Sequence, residues 1–294
     1  MRSLKPDQSS PLTNSRRAWD YMSLYLSIVI PAHNEAKILP VTLDCLRTFL
    51  SEQSFAAEVI IVDDGSTDKT SAVLQEWTRA FECLRVLRNP VNVGKGASIR
   101  RGVLASRAEC VFVSDADLPG RPEDISRLLE ALRQGAAVAI ASRRPAPMSA
   151  APSRTRFIAS AIYRAMVRAI LRLPVRDTQC GFKAFLREPL LPIVEGLRSN
   201  GFSFDVEFLF AAWKNKLAVK EVDFDVVERR PTRHAILLQS PRMVIDLLRI
   251  RLTAGRELRS ARTRPDELDP ALTPMKGRRE PGTNPQGSLA NHEN

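Results

Sequence analysis

The sequence predicts an α/β protein with a mostly parallel sheet flanked by helices. Short apolar runs rich in Val and Ile alternate with helix-length segments from Leu24 to Arg143, which is the pattern of repeated strand-helix-strand units. A chain of 294 residues is long enough to bury a full core of this kind. Because ligands of such sheets bind beyond the carboxyl ends of the strands, the functional residues are expected there.

The predicted elements follow one another without interruption through the first half of the chain. The strands are 24–32, 58–64, 84–89, 110–117 and 137–143, and the helices between them are 35–51, 68–80, 95–107 and 122–134. A basic amphipathic helix follows over 157–172, and a last strand-like run covers 219–229. Ser240 can cap a second amphipathic helix, because Pro241 then occupies the first helical position.

Four segments are expected along the chain. The ends, 1–22 and 258–294, are rich in Pro, Ser, Asn, Gly and charge with little periodicity, which predicts mobile termini. A sheet-containing domain is expected over 23–230 and an amphipathic helical segment over 231–257.

Composition limits the setting of the protein. The four cysteines show no metal-binding spacing, which favours a reduced, cytoplasmic setting. No stretch reaches the roughly 18 apolar residues of a membrane span, and the N-terminus lacks the apolar region of a signal peptide. We therefore expect neither a spanning segment nor secretion.

The net charge of +11 is concentrated in one stretch. Eight arginines and no Asp or Glu lie between Gly135 and Arg176, which makes a polyanionic partner plausible. Nucleic acid is the non-enzyme alternative, but the arginines alternate with aliphatic rather than stacking aromatic residues, so no nucleic acid is expected. The apolar stripe of the basic helix has two interpretations: it packs on the sheet, or it lies in an anionic membrane interface.

Polar residues gather at four predicted strand ends, which indicates a polar cleft. Each end alone has an ordinary explanation as a turn or a helix cap. Asp115 and Asp117 follow the fourth strand, and their spacing suits one hard divalent ion, Mg²⁺ or Mn²⁺, with positions left for diphosphate oxygens. Lys95 begins a helix, where a cation needs an anion or a carboxylate nearby. Gly94 and Gly96 would let backbone N–H groups approach a phosphate.

Four segments carry a resemblance as an ordered set: they are LSIVIPAHNE, VIIVDDGSTDKT, NVGKGASIRRGV and FVSDAD. They resemble the successive nucleotide-sugar-binding motifs of the family 2 inverting glycosyltransferases, which have the GT-A fold. RDTQCGFKAF and FSFDVEFLF resemble the dolichyl-phosphate β-glucosyltransferase branch, near the polyprenol-phosphate mannose synthases. The resemblance implies that 23–230 is a GT-A catalytic domain. Two departures leave the donor sugar and the acceptor open: Leu118 follows the aspartates where the branch commonly has Gly, and Glu228-Arg229-Arg230 stands where it usually has Gly-Ser-Lys.

The resemblance also implies site residues. Those for the nucleotide sugar are Pro31, Ala32, Glu35, Asp63, Lys95, Asp115, Ala116 and Asp117. Glu35 and Asp63 would hold the uridine or its ribose. Asp115 and Asp117 would hold the metal and the diphosphate, with Asp117 as the direct metal ligand and Asp115 on ribose or metal.

The predicted acceptor side lies later in the chain. Asp177, Asp205 and Glu207 are candidates for the carboxylate nearest the acceptor, although Asp205 and Glu207 have an ordinary interpretation as first-turn carboxylates of a helix. The residues predicted to bind an acceptor phosphate are Arg143, Arg144 and Lys183. An arginine is especially suited to this role because its guanidinium group can donate two hydrogen bonds to one phosphate.

The resemblance implies metal-dependent, inverting transfer of a hexose, glucose from UDP-glucose, to a polyprenyl or dolichyl phosphate. The chain would act at the cytoplasmic face of a membrane, bound peripherally or through a membrane partner protein. A mannosyltransferase that uses GDP-mannose and a transferase that acts on a glycan hydroxyl are the open alternatives. A sugar hydroxyl needs a carboxylate base, whereas a lipid phosphate is already anionic near neutral pH.

Overall fold

The computed structural model describes residues 24–143, 154–178, 180–224 and 241–253. The strands within these ranges are β1 (Leu26–Ala32), β2 (Ala57–Asp64), β3 (Leu84–Asn89), β4 (Cys110–Ser114), β5 (Val138–Arg143), β6 (Phe182–Leu186) and β7 (Val219–Phe224). The helices are α1 (Leu39–Ser51), α2 (Thr70–Ala80), α3 (Lys95–Ala105), α4 (Glu123–Arg133), α5 (Arg154–Leu171), α6 (Arg187–Gly196), α7 (Phe204–Lys214) and α8 (Pro241–Thr253). Arg144, Ser240 and both predicted mobile termini lie outside the described residues.

One sheet joins the strands in the order β3-β2-β1-β4-β6-β5-β7. Every pairing is parallel except those of β6, which is antiparallel to both β4 and β5. The predicted α/β class and mostly parallel sheet are confirmed, and the elements predicted up to 143 are found with shifted ends. β6 was not predicted as a strand. Its segment carries a charged residue, Lys183, and its partners are distant in the sequence.

The core has two layers because the central strands are buried on both faces. Alternate residues of β1 face opposite sides: Ile28 and Ile30 pack with α1, α2 and α4, whereas Val29 packs with α3 and α5 to α8. Such two-sided burial is why these strands read as continuous apolar runs rather than as alternating ones.

The sheet brings the predicted strand ends to one edge. Ala32 pairs with Asp63 across β1 and β2, and Asp115 directly follows the last residue of β4. Because Ser114 pairs with Phe182 at the start of β6, the DTQCGF segment leads into the same edge, beside Asp115.

The two basic helices belong to the packed fold. Tyr163, Val167 and Leu171 of α5 and Leu247 and Ile250 of α8 are buried in one shared cluster, so these side chains follow the packing interpretation. In the part of the chain that the structure describes, no helix has both the length and the apolar character needed to cross a membrane.

Candidate functional site

The tips of β1 and β2 are tied together by hydrogen bonds. Asn34, in the left-handed region at φ 57°, accepts bonds from the backbone N–H groups of Thr67 (2.8 Å) and Asp68 (3.2 Å), and its own N–H donates to Ser66 Oγ (3.0 Å). The predicted nucleotide residues of β1 lie at this tip. Ala32 is buried, while Pro31 and Glu35 are partly buried, and the Glu35 N–H donates to Thr70 Oγ1 (2.8 Å).

Asp63 is buried at the end of β2 with its carboxylate well satisfied. It accepts bonds from Ser66 N–H (3.0 Å) and Ser71 Oγ (2.6 Å), and Arg88 Nε lies 3.7 Å away. Burial alone would raise the pKa of the Asp63 carboxyl, but these hydrogen bonds and the Arg88 charge outweigh it and leave the pKa below its usual value. Asp63 is therefore held as an anion at the expected nucleotide end.

The neighbouring Asp64 organises the loop between β3 and α3. Its carboxylate accepts bonds from Asn89 Nδ2 (2.7 Å) and from the backbone N–H groups of Val93 (3.0 Å) and Gly94 (2.9 Å). These contacts explain the second aspartate of the DDGS segment as a loop anchor.

The N-terminus of α3 is not arranged as the sequence analysis expected. The backbone N–H groups of Gly96 (2.7 Å) and Ala97 (3.2 Å) both donate to the carbonyl of Asn200, and Gly94 N–H is taken by Asp64. A Cβ on Gly94 or Gly96 would collide with the carbonyls of Asn200 or Ser199. The expectation that these amides approach a phosphate is therefore wrong in this structure, because the glycines admit the 197–203 loop.

A chain of alternating charges joins the predicted donor and acceptor sides. Lys95 Nζ lies 2.5 Å from Asp115 Oδ1 and 3.8 Å from Asp205 Oδ2, and Lys183 Nζ lies 2.8 Å from Asp205 Oδ1. Burial would lower the pKa of the Lys95 ammonium, but Asp115 and Asp205 outweigh it and raise the pKa above its usual value. Asp115 thus provides the carboxylate that was expected near Lys95 at the start of α3.

The segment Asp115-Ala116-Asp117, here called the aspartate tip, forms a tight turn after β4. Thr42 Oγ1 donates to the carbonyl of buried Ala116 (2.7 Å), and Leu118 N–H donates to the carbonyl of Asp115 (3.0 Å). Leu118 is fully buried at φ 48°, so it occupies a backbone region that favours glycine. A Cβ at Gly181 would overlap the carboxylate of Asp115, so a larger residue there would displace that carboxylate.

The carboxylates of Asp115 and Asp117 suit a hard divalent ion. Both residues are partly exposed at the edge of the sheet, and carboxylate oxygens are what Mg²⁺ and Mn²⁺ take. The described ranges contain no group of three or more His, Cys, Asp or Glu able to hold a metal. An ion held here would therefore need oxygens from a second source, such as a bound diphosphate.

The predicted acceptor residues fall into two groups. Glu207 is buried and accepts bonds from the backbone N–H groups of Arg198 (3.2 Å) and Ser199 (2.8 Å), so it braces the loop that caps α3. Lys183 is buried between Asp205 and the Cys180 carbonyl, so an acceptor phosphate would have to displace it from that pair.

The second group lies near the DTQCGF segment. Asp177 is buried, and its N–H donates to Glu221 (3.3 Å), while Arg143 ends β5 in register with Phe224. Acceptor contact by Asp177, Arg143 or Lys183 stays a prediction.

Sequence reasoning missed several residues that shape this site. Asn200 caps α3 through its carbonyl, which no side-chain pattern reveals, and the Phe202 ring lies 5.8 Å from Lys95 Nζ. Gly181 had a usable signal, since it belongs to the quoted DTQCGF segment.

Known proteins place these observations in a family. The family model described as "Glycosyl transferase family 2" matches residues 27–192. Dolichyl-phosphate beta-glucosyltransferase of Homo sapiens is 32% identical over 80% of this chain and 77% of its own length. The enzyme of that name from Drosophila melanogaster is 36% identical over 69% of this chain and 67% of its own.

Solved structures support the fold. Glucosyl-3-phosphoglycerate synthase from Mycobacterium tuberculosis, in complex with Mn²⁺, UDP and phosphoglyceric acid, superposes with a TM-score of 0.60 at 20% identity, covering 84% of each chain. The predicted GT-A fold is thereby confirmed. With a family match over more than half of its length, this chain belongs to glycosyl transferase family 2 and is a glycosyltransferase.

Proposed function

We propose that the protein is a dolichyl-phosphate β-glucosyltransferase, which transfers glucose from UDP-glucose to a polyprenyl phosphate with inversion. The observation that carries the proposal is the aspartate tip, Asp115 and Asp117, at the carboxyl edge of a family 2 sheet, where Asp115 pairs with Lys95. The Homo sapiens and Drosophila relatives carry this enzyme name, and their alignments cover 80% and 69% of this chain.

The donor end fits a nucleotide diphosphate sugar. Asp63 is held as an anion at the end of β2 in register with Ala32, and we propose that it holds ribose or uracil, with Pro31 and Ala32 beside the base. Lys95 supplies a positive charge next to the aspartate tip, where the diphosphate would lie. A divalent ion on Asp117 would neutralise the charge that develops on the leaving diphosphate.

Mn²⁺ and UDP support this assignment by analogy. Both are bound in the Mycobacterium tuberculosis structure, which has the same fold. We propose Mg²⁺ or Mn²⁺ as the cofactor. Asp117 would bind the ion directly, and Asp115 would contact either the ribose or the ion.

A lipid phosphate acceptor agrees with the carboxylates on the acceptor side. Glu207 is committed to backbone N–H groups and Asp205 to two lysines, so neither is poised as a base for a sugar hydroxyl. An anionic phosphate needs no such base. Asp177 is the carboxylate we propose nearest the acceptor, with Arg143 and Arg144 as phosphate ligands, at the cytoplasmic face of a membrane.

Product analysis tests the proposal. Purified protein is incubated with Mg²⁺ or Mn²⁺, a short polyprenyl phosphate and, in separate reactions, UDP-glucose, GDP-mannose and other nucleotide sugars. We expect a glucosyl lipid by mass spectrometry only from UDP-glucose, with a β-linkage by NMR, and no product in the presence of EDTA. A mannosyl lipid would select the GDP-mannose alternative. Transfer to a glycan hydroxyl but not to the lipid would replace the proposed acceptor.

A further inference from the structure

The helix α8 carries an exposed aliphatic ridge. Ile245, Leu248 and Leu252 are 48%, 48% and 71% exposed. Their spacings of three and four residues place them on one face of the helix. Leu247 and Ile250 lie on the opposite face and are buried in the core. The helix is therefore fixed to the protein by one face while its ridge is turned to solvent.

Arginines border this ridge. At about 100° per residue, Arg249 and Arg251 fall on opposite sides of the stripe formed by Ile245, Leu248 and Leu252. Both arginines are exposed, and Arg251 also donates to the Ile170 carbonyl, which joins α8 to α5. On α5, which α8 contacts, Arg164 and Arg168 are also exposed, and so is Arg172, which directly follows α5.

The acid on α8 does not cancel this charge at the ridge. Among the described side chains of the helix, the acidic one is Asp246, and it accepts a bond from Ser203 Oγ (2.9 Å). Ser203 directly precedes α7, whose Asp205 belongs to the Lys95 ion pairs. This bond ties α8 to the start of α7, two residues before Asp205.

We propose that the α8 ridge, with Arg249, Arg251 and the α5 arginines, docks on a membrane surface that carries anionic lipid headgroups. The aliphatic side chains would enter the interface while the arginines contact the headgroup phosphates. This rests on the proposed function and deepens it, because the docking would hold the site next to a lipid-borne acceptor phosphate.

Sedimentation with vesicles tests the surface directly. We expect the full chain to bind vesicles rich in phosphatidylglycerol, to bind phosphatidylcholine vesicles weakly, and to lose binding as salt is raised. Leu248→Ser with Leu252→Ser should weaken binding about tenfold or more, since two interfacial side chains are lost. The matched control is Val41→Ser with Leu104→Ser, which removes exposed aliphatic residues of α1 and α3 and should leave binding unchanged.

The charged part of the surface has its own variant. Arg168→Gln with Arg249→Gln should reduce binding to anionic vesicles and flatten its salt dependence. Equal binding by wild type and the leucine variant, or no binding by either, overturns the proposal.

Turnover separates this proposal from the proposed function. With a short, water-soluble polyprenyl phosphate and no vesicles, the leucine variant should match wild type. With a long-chain acceptor in anionic vesicles it should lose activity in proportion to binding. If wild type transfers no sugar to any acceptor, the proposed function fails, and vesicle sedimentation still decides the docking surface.

Discussion

Two carboxylate clusters at opposite ends of the sheet differ in what they leave accessible. At the amino end, Glu58 accepts bonds from Ser27 Oγ (2.7 Å), Arg85 (2.6 Å) and Arg107 (2.9 and 3.1 Å), and its side chain is 4% exposed. At the carboxyl end, the Asp115 side chain pairs with Lys95 and is 34% exposed. Glu58 is enclosed by its partners, whereas the aspartate tip is open to a ligand.

This difference teaches how to separate structural from functional carboxylates. A buried carboxylate that is saturated by hydrogen bonds stabilises the fold, and its loss leaves its donors unsatisfied. A carboxylate at the open edge of a parallel sheet lies where ligands bind. The two clusters should therefore respond oppositely when activity and stability are measured separately.

The largest effect is expected from Asp117→Asn. The substitution keeps the shape of the side chain but removes a charge proposed to hold the metal, so turnover should fall at least about 100-fold. Thermal unfolding should be nearly unchanged because Asp117 is partly exposed. Turnover close to wild type, measured with saturating Mn²⁺ in the mass-spectrometric assay, would show that Asp117 does not hold the metal.

The two lysines that share Asp205 offer a second contrast. Lys183→Met removes an ammonium that is 3% exposed and should cost about 3 kcal/mol of unfolding free energy, because Asp205 loses its closer partner. Lys95→Met, at 18% exposure, should instead lower kcat/KM for the nucleotide sugar about tenfold.

Urea denaturation and steady-state kinetics on both variants check this division. If Lys183→Met raises the KM for the polyprenyl phosphate tenfold with stability unchanged, the original prediction of an acceptor-phosphate ligand is correct and the structural interpretation fails.

Local patterns predicted most of the fold and placed several polar residues at one edge of the sheet. Each parallel strand reads as an apolar run, and the rule for strand ends located Asp63, Asp115 and Asp117. The strand β6 was not predicted, because it is antiparallel and contains Lys183, so it does not form an uninterrupted apolar run. Its partner β4 also lies far from it in the sequence.

The acceptor side was harder to predict for the same physical reason. The sequence placed Asp205 at the start of a helix, but its contacts with Lys95 and Lys183 depend on three separate elements meeting in space. Glu207 is a second carboxylate in the first turn of the same helix, yet it accepts hydrogen bonds from the backbone N–H groups of Arg198 and Ser199. Tertiary contacts, which one sequence does not encode locally, decide between such roles.

The smallest effect is expected from Glu58→Gln, and its pH dependence identifies the cause. Burial raises the pKa of the Glu58 carboxyl, but the bonds from Ser27, Arg85 and Arg107 outweigh it and hold the pKa below its ordinary value of 4.5. A carboxyl with a lowered folded pKa contributes stability above its unfolded pKa and loses it as pH falls through the folded value. Near pH 7 the variant should therefore be about 1 to 2 kcal/mol less stable, and this difference should shrink below pH 4.5.

Urea denaturation as a function of pH measures that difference. Glu76→Gln, an exposed residue of α2, is the matched control and should show little difference at any pH. Turnover of folded Glu58→Gln should equal that of wild type, because the cluster lies at the end of the sheet away from the aspartate tip. A loss of turnover with unchanged stability would show that Glu58 also takes part in the reaction. That result would contradict the purely structural role assigned to the amino-end cluster.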